Sequence, residues 1–131
     1  MSNASKDESR KKAVEDYVKS YNNFDVENML KDLDENVVFR NISAGKVNLT
    51  TEGIAEFREQ AGRAVNLFKQ REQKIIRLKF GENEVEAEIF YSGIVAVDLP
   101  GGLKSGSKIE LDGKSIFRFA DDKIVEIEDI S

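Results

Sequence analysis

The chain has 131 residues, with 40% hydrophobic and 34% charged, no cysteine, no histidine and a net charge of −5, which fits one globular domain over residues 1–131 with room for a sizeable core. The missing cysteine and histidine exclude disulfides and thiolate chemistry and remove the commonest general base near neutral pH and the commonest metal ligand, so neither a metal nor a cofactor is expected. The acidic balance disfavours nucleic acid, whose phosphates need a basic surface, and no apolar run is long enough for a membrane span.

The opening MSNAS, about residues 1–5, reads as an appended remnant and stays outside the fold reasoning. A leader trimmed there would change the compartment; as it stands the sequence points to the cytoplasm. Ser5 and Glu8 make an S-x-x-E capping box for a first helix, with Ala13, Val14, Tyr17, Val18 and Tyr21 as its apolar stripe. The SRKK cluster at residues 9–12 is a solvated face of that helix, too small to imply nucleic acid. YNNFD ends the helix, and Asp25 is placed to cap a short second one carrying Val26, Met29, Leu30 and Leu33. VVFRNI, residues 37–42, reads as a strand. Gly45 to Thr51 reads as a loop, and Thr51 as the cap of a third helix with the stripe Ile54, Phe57, Ala61, Val65 and Phe68.

The second half reads as strand. KIIRLKF opens it, with Ile76, Leu78 and Phe80 on one face. From Val85 the alternation puts Val85, Ala87, Ile89, Tyr91, Gly93, Val95 and Val97 on a buried face and Glu84, Glu86 and Glu88 on a solvated one. Asp112-Gly113 is normally a strong hairpin signal. Here a hairpin would group Leu111 with Lys114 and Arg118, whereas one continuous strand groups Ile109, Leu111, Ser115, Phe117 and Phe119. The continuous strand is therefore predicted, with Gly113 as a kink or bulge. An odd-length turn at DDK then brings Val125, Ile127 and Asp129 onto the same face and makes Ser115 and Asp129 cross-strand neighbours.

Long antiparallel strands with one apolar face must wrap around something, and the helices are the partner at hand. The predicted fold class is α+β: a cone-shaped bent antiparallel sheet packed on three N-terminal helices, with a pocket at its open end. In YVKSYNNFDVENMLKDLDENVVFRN, TEGIAEFREQ and GKSIFRFADDKIVEIED the chain resembles nuclear transport factor 2-like domains of the SnoaL-like and ketosteroid isomerase-like type, over nearly its whole length. The resemblance implies the cone, and it implies three positions that such isomerases fill with a tyrosine on the first helix, an aspartate base at the end of the first strand and a protonated aspartic acid on a late strand. This chain offers Tyr17, Asn41 and Ser115 there. An amide has no useful basicity, so Asn41 is read as tying down the loop after it in preference to contacting a ligand, and Ser115 replaces an acidic hydroxyl weakly.

The predicted pocket consists of Tyr17, Asn41 and Tyr91 facing one cavity, Phe39, Phe57 and Phe117 as apolar wall, and Ser115 beside Asp129, the one carboxylate of inward parity on the last strand. Phe90, Ile94 and Ile116, with Ile76, Leu78 and Phe80, would leave an apolar patch on the outer face, and a homodimer through the sheets is expected. Three functions of different class remain open. One is binding of a small apolar or amphipathic molecule without turnover. Another is an isomerase, cyclase or dehydratase in which Tyr17 polarises a carbonyl and Asp129 moves a proton. The last is an assembly domain with a vestigial pocket. The absent histidine and cysteine, and the amide at position 41, favour the first.

Overall fold

The computed structural model describes residues 3–131; Met1 and Ser2 lie outside them. Helix α1 (Asn3–Asn22) is followed by the single turn α2 (Val26–Met29), strands β1 (Leu33–Ser43) and β2 (Lys46–Glu52), helix α3 (Ile54–Val65), and strands β3 (Phe68–Phe80), β4 (Glu84–Val95), β5 (Lys108–Ala120) and β6 (Lys123–Ile130). The six strands form one sheet in the order β2-β1-β6-β5-β4-β3. It curls over the helices, so the fold is the expected α+β cone. Every neighbouring pair is antiparallel except β1 and β6, which run parallel; a fully antiparallel sheet was the expectation. Among the described residues no helix is long and apolar enough to cross a membrane.

The helix ends show which local signals decide. α1 starts at Asn3, so Ser5 lies inside it rather than capping it. At its other end Phe24 takes φ 59°, and the Asp25 amide donates to the Ser20 carbonyl at 2.8 Å, the left-handed stop that usually calls for glycine. Asp25 caps α2 as expected, its carboxylate accepting from the Asn28 amide at 3.2 Å. Thr51 does not cap α3. Gly53 does, at φ 87°, and Thr51 is a buried residue of β2. The expected loop from Gly45 is instead the second arm of a tight hairpin, with Ala44 and Gly45 at φ 52° and 78°, the two positive φ values that match a two-residue turn to strand twist.

Asp112-Gly113 is not a hairpin. The β4–β5 register passes through it without a shift, so there is no bulge in that ladder either. The glycine is needed because a Cβ there would lie 2.8 Å from the Ile130 carbonyl oxygen. Among the bulges elsewhere, two move residues away from their expected faces. In β6 the shift falls at Val125, so Ile124 takes the buried place expected for Val125 while Ile127 and Asp129 keep theirs. In β3 the shift falls at Ile76, which is left 51% exposed, and Leu78 and Phe80 turn inward onto the core. The expected outer patch thus loses two of its members. Val97 lies past the end of β4 and is exposed rather than buried.

Aligned residues on neighbouring strands form transverse rows across the inner face. Phe39, Ile127, Phe117, Val85 and Phe80 are one row, with Ile127, Phe117 and Val85 fully buried beneath α1. Tyr17 sets its ring edge-on to Phe117, centroids 5.4 Å apart. Burying such aromatic and branched side chains, about 1.5–3 kcal/mol each, holds the helices on the sheet. The next row toward the open end is Asn41, Asp129, Ser115, Ala87 and Leu78. There the floor becomes polar.

Candidate functional site

Two cavities open above that polar row. The larger, about 310 Å³, is lined by Tyr21, Asn41, Gln73, Tyr91, Ser115 and Asp129 together with apolar side chains of β3, β4 and β5. The smaller, about 160 Å³, lies under α3 and is lined by Tyr17, Tyr21, Phe39, Asn41, Phe57, Arg71 and Asp129, among others. Tyr21, Asn41 and Asp129 border both, so Asp129 stands at the seam.

The Asp129 carboxylate accepts a hydrogen bond from Ser115 Oγ at 2.6 Å. The β5–β6 register that pairs these residues follows from the Val125 bulge. Burial pushes the carboxyl up from its ordinary 3.8 to about 6, against the pull of the serine hydroxyl, which favours the charged form. Asn41 is aligned with Asp129 on the parallel neighbour strand. Its side-chain amide donates to Asn48 Oδ1 at 2.9 Å, across the bulge of the β1–β2 hairpin, so it does fasten the segment after β1 while also bordering both cavities.

On the far wall the Tyr21 hydroxyl donates to the Tyr91 hydroxyl at 3.1 Å, with the rings 6.3 Å apart and steeply tilted. The pair uses one of its two hydroxyl protons, leaving the other for a ligand oxygen. Burial raises both phenols above their ordinary value, Tyr21 the more, so both stay neutral donors at physiological pH. Tyr17 is also held well above its ordinary value, first by burial and then by the negative charge of Asp129.

Of the eight residues expected at the pocket, Asn41, Tyr91, Ser115 and Asp129 border the larger cavity; Tyr17, Phe39 and Phe57, with Asn41 and Asp129 again, border the smaller. Tyr17 and Tyr91 therefore face different compartments, not one cavity. Phe117 borders neither, because it sits one row deeper in the fully buried floor. Tyr21, on the apolar stripe of α1, also borders both cavities, which its place on the stripe alone does not reveal. Arg71 and Gln73 escape the strand pattern, because β3 starts at Phe68, six residues before the stretch that reads as strand. Taking Ile75 as inward would have carried the period-two pattern back to both.

Solved structures share this fold. A proposed polyketide cyclase from Xanthomonas campestris pv. campestris superposes with a TM-score of 0.79 at 20% identity, over 95% of this chain and 90% of that one. A proposed SnoaL-like polyketide cyclase from Jannaschia sp. CCS1 does so at 0.76 and 15%, over 92% and 83%. A protein of ketosteroid isomerase-like fold from Catenulispora acidiphila, in complex with trimethylamine, follows at 0.72 and 11%, over 89% and 82%. At these identities the likeness is one of fold. No curated protein matches the chain. The SnoaL-like domain family model, in contrast, matches residues 14–127, from the buried stripe of α1 to the Ile127 that anchors β6, and the chain belongs to the SnoaL-like domain family.

Proposed function

We propose that the chain binds a small, mainly apolar carbonyl compound across the two cavities and that Asp129 moves a proton on it, at the carbon next to the carbonyl. The observation that carries the reading is the position of Asp129: the one inward carboxylate of β6, fixed by Ser115, at the seam of both cavities and poised near pH 6. A base of that strength is charged at neutral pH yet gives its proton back readily. The neutral hydroxyls of the Tyr21–Tyr91 pair, with Tyr17 on the other side, supply donors for the oxygen on which charge collects as the α-proton leaves. Ring closure and double-bond migration both begin with this step, and two proteins of similar fold carry the proposed name of polyketide cyclase.

Binding without turnover is the second reading, and what favours it is the amide at position 41, engaged with Asn48 where the family's isomerases place a base. Proton NMR in deuterated buffer separates the two. With a panel of cyclic enones and 1,3-diketones, the protein should accelerate α-proton exchange of at least one member, with a rate that rises with pH and levels off above about 6. Asp129→Asn should lower it by about 10²–10⁴-fold, the usual weight of a positioned base. Ligand line-broadening without accelerated exchange for any member would leave binding alone.

We also propose that two copies pair through the outer face of the sheet, where Ile76 is exposed and Phe90, Ile94 and Ile116 are partly so.

A further inference from the structure

Arg71 is a buried charge without an ion-pair partner, although Asp129 borders the same smaller cavity. The residue is 5% exposed, and among the described residues no carboxylate lies within ion-pair distance of it. Its Nε donates to the Tyr21 carbonyl at 3.0 Å, and the guanidinium lies 3.7 Å from the centre of the Tyr21 ring and 4.6 Å from that of Phe24. The end of α1 and the two ring faces offset part of the desolvation. They do not complete it, since Nη2 is buried with no hydrogen-bond partner, at a residue that lines the smaller cavity. Gln73, two positions on and of the same inward parity, repeats the pattern. Its main chain exchanges two hydrogen bonds with the Asn22 side chain, at 2.7 and 3.1 Å. Its Oε1 is buried without a partner, at a residue that lines the larger cavity. Leaving such groups unpaired costs more than any ordinary surface contact returns, and a guanidinium presents its donors in the fork that fits a carboxylate.

We infer that Arg71 is the anion-binding residue of the pocket and that its ligand is a small organic acid, with the acid group on Arg71 and a hydroxyl or N–H donor on Gln73. This takes the small-molecule pocket from the proposed function and names the class of molecule; it does not need the proton transfer. The two fail separately. Accelerated exchange on neutral ketones with no preference for acids would overturn this inference and leave Asp129 as a base. Acid binding without exchange on any compound would do the reverse.

The test uses matched pairs: benzoate against benzamide, and 2-naphthoate against 2-naphthamide, titrated at pH 7.5 by calorimetry or ligand-observed NMR. Hydrogen bonds to a charged group contribute about 1.5–3 kcal/mol, so each acid should bind about tenfold or more tighter than its amide. In Arg71→Met the preference should vanish while the amide still binds, and Arg71→Lys should retain part of it. Equal binding of acid and amide, no binding of either acid at millimolar concentration, or a preference that survives in Arg71→Met would overturn the inference. Arg71 also anchors the end of α1, so the methionine variant can lose its fold. The wild-type protein then supplies the decisive measurement, the Arg71 guanidinium N–H resonances. Saturating benzoate should shift them and benzamide should not; unmoved resonances at saturating benzoate would overturn the inference as well.

Discussion

Asp129 sits where its charged form is poorly solvated, and that has a consequence for stability that runs opposite to the usual carboxylate. Its folded-state value is raised, to about 6 from 3.8, so the folded chain holds the proton after the unfolded chain has released it. The group is neutral in both states at low pH; as pH rises from about 4 to 6, ionisation favours the unfolded chain, and the contribution of Asp129 to stability falls by about 3 kcal/mol over that window, against the lowered Asp16 and Glu126, which act in the opposite sense. Asp129→Asn keeps an oxygen for Ser115 Oγ and removes the charge. The variant should therefore unfold at higher denaturant than wild type at pH 8 and at the same denaturant at pH 3.5. An equal difference at both values would mean that the carboxylate is well solvated in the folded chain. At this scale much of the site was legible. Asn41, Ser115 and Asp129 all followed from strand parity, because one face of each strand is buried and a side chain on a strand has only two faces to choose from. Arg71 was not, since a lone arginine among charged neighbours in FKQREQK carries no sign that its head group is folded under.

At the scale of elements, besides the caps at Ser5 and Thr51 and the loop at residues 45–51, the expectations that failed are those that a single inserted residue upsets. Nothing in the composition of KIIRLKF or KIVEIED marks Ile76 or Val125 as the extra residue of a bulge, yet each reverses the facing of everything beyond it. In β6 the expected odd turn and the actual bulge shift parity alike, so Ser115 and Asp129 meet either way. In β3 no expected turn offsets the bulge at Ile76, and Leu78 and Phe80 go to the core. The hairpin at Ala44-Gly45 escaped notice because alanine rarely takes positive φ. Gly113 is the reverse case, a strong turn signal that the pattern of the flanking residues overrode correctly. Its role is close approach, which makes Gly113→Ala a direct check. The new methyl would meet the backbone oxygen of Ile130 at 2.8 Å, where no side chain can yield, and the variant should lose about 1–3 kcal/mol in urea unfolding with an unchanged slope. Wild-type stability in that variant would mean that the end of β6 moves away freely.

For the whole molecule, the helices and the sheet's inner face were readable because three apolar stripes and two long alternating strands have only one mutual way to be covered. The outer face is different. Arg40 and Arg118 share Glu126 and Glu128, and Lys114 and Arg77 reach Glu86 and Glu88. Phe90, Ile94 and Ile116 therefore lie among ion pairs instead of forming one unbroken patch. A homodimer on this face should show by light scattering at micromolar protein as twice the 14.8 kDa chain mass; a single-chain mass would exclude it. Such half-exposed pairs contribute little each, so the apolar residues would carry most of the association.

The parallel seam between β1 and β6 also sets an order of events. Arg40 and Glu126, bonded across it, are 86 positions apart in the chain, and the same seam aligns Asn41 with Asp129. The β3–β4, β4–β5 and β5–β6 ladders join strands that follow one another in the chain, across residues 81–83, 96–107 and 121–122, and can form as soon as their own segments exist. The seam must wait until a loop of most of the chain has closed, and that closure entropy slows the search for it. The floor of the pocket is then among the last things to assemble. A chain emerging from the ribosome lacks the row that aligns Asn41 with Asp129 until β6 has been made and has found β1, so a ligand of the proposed pocket cannot template the early steps and can only hold the finished fold shut.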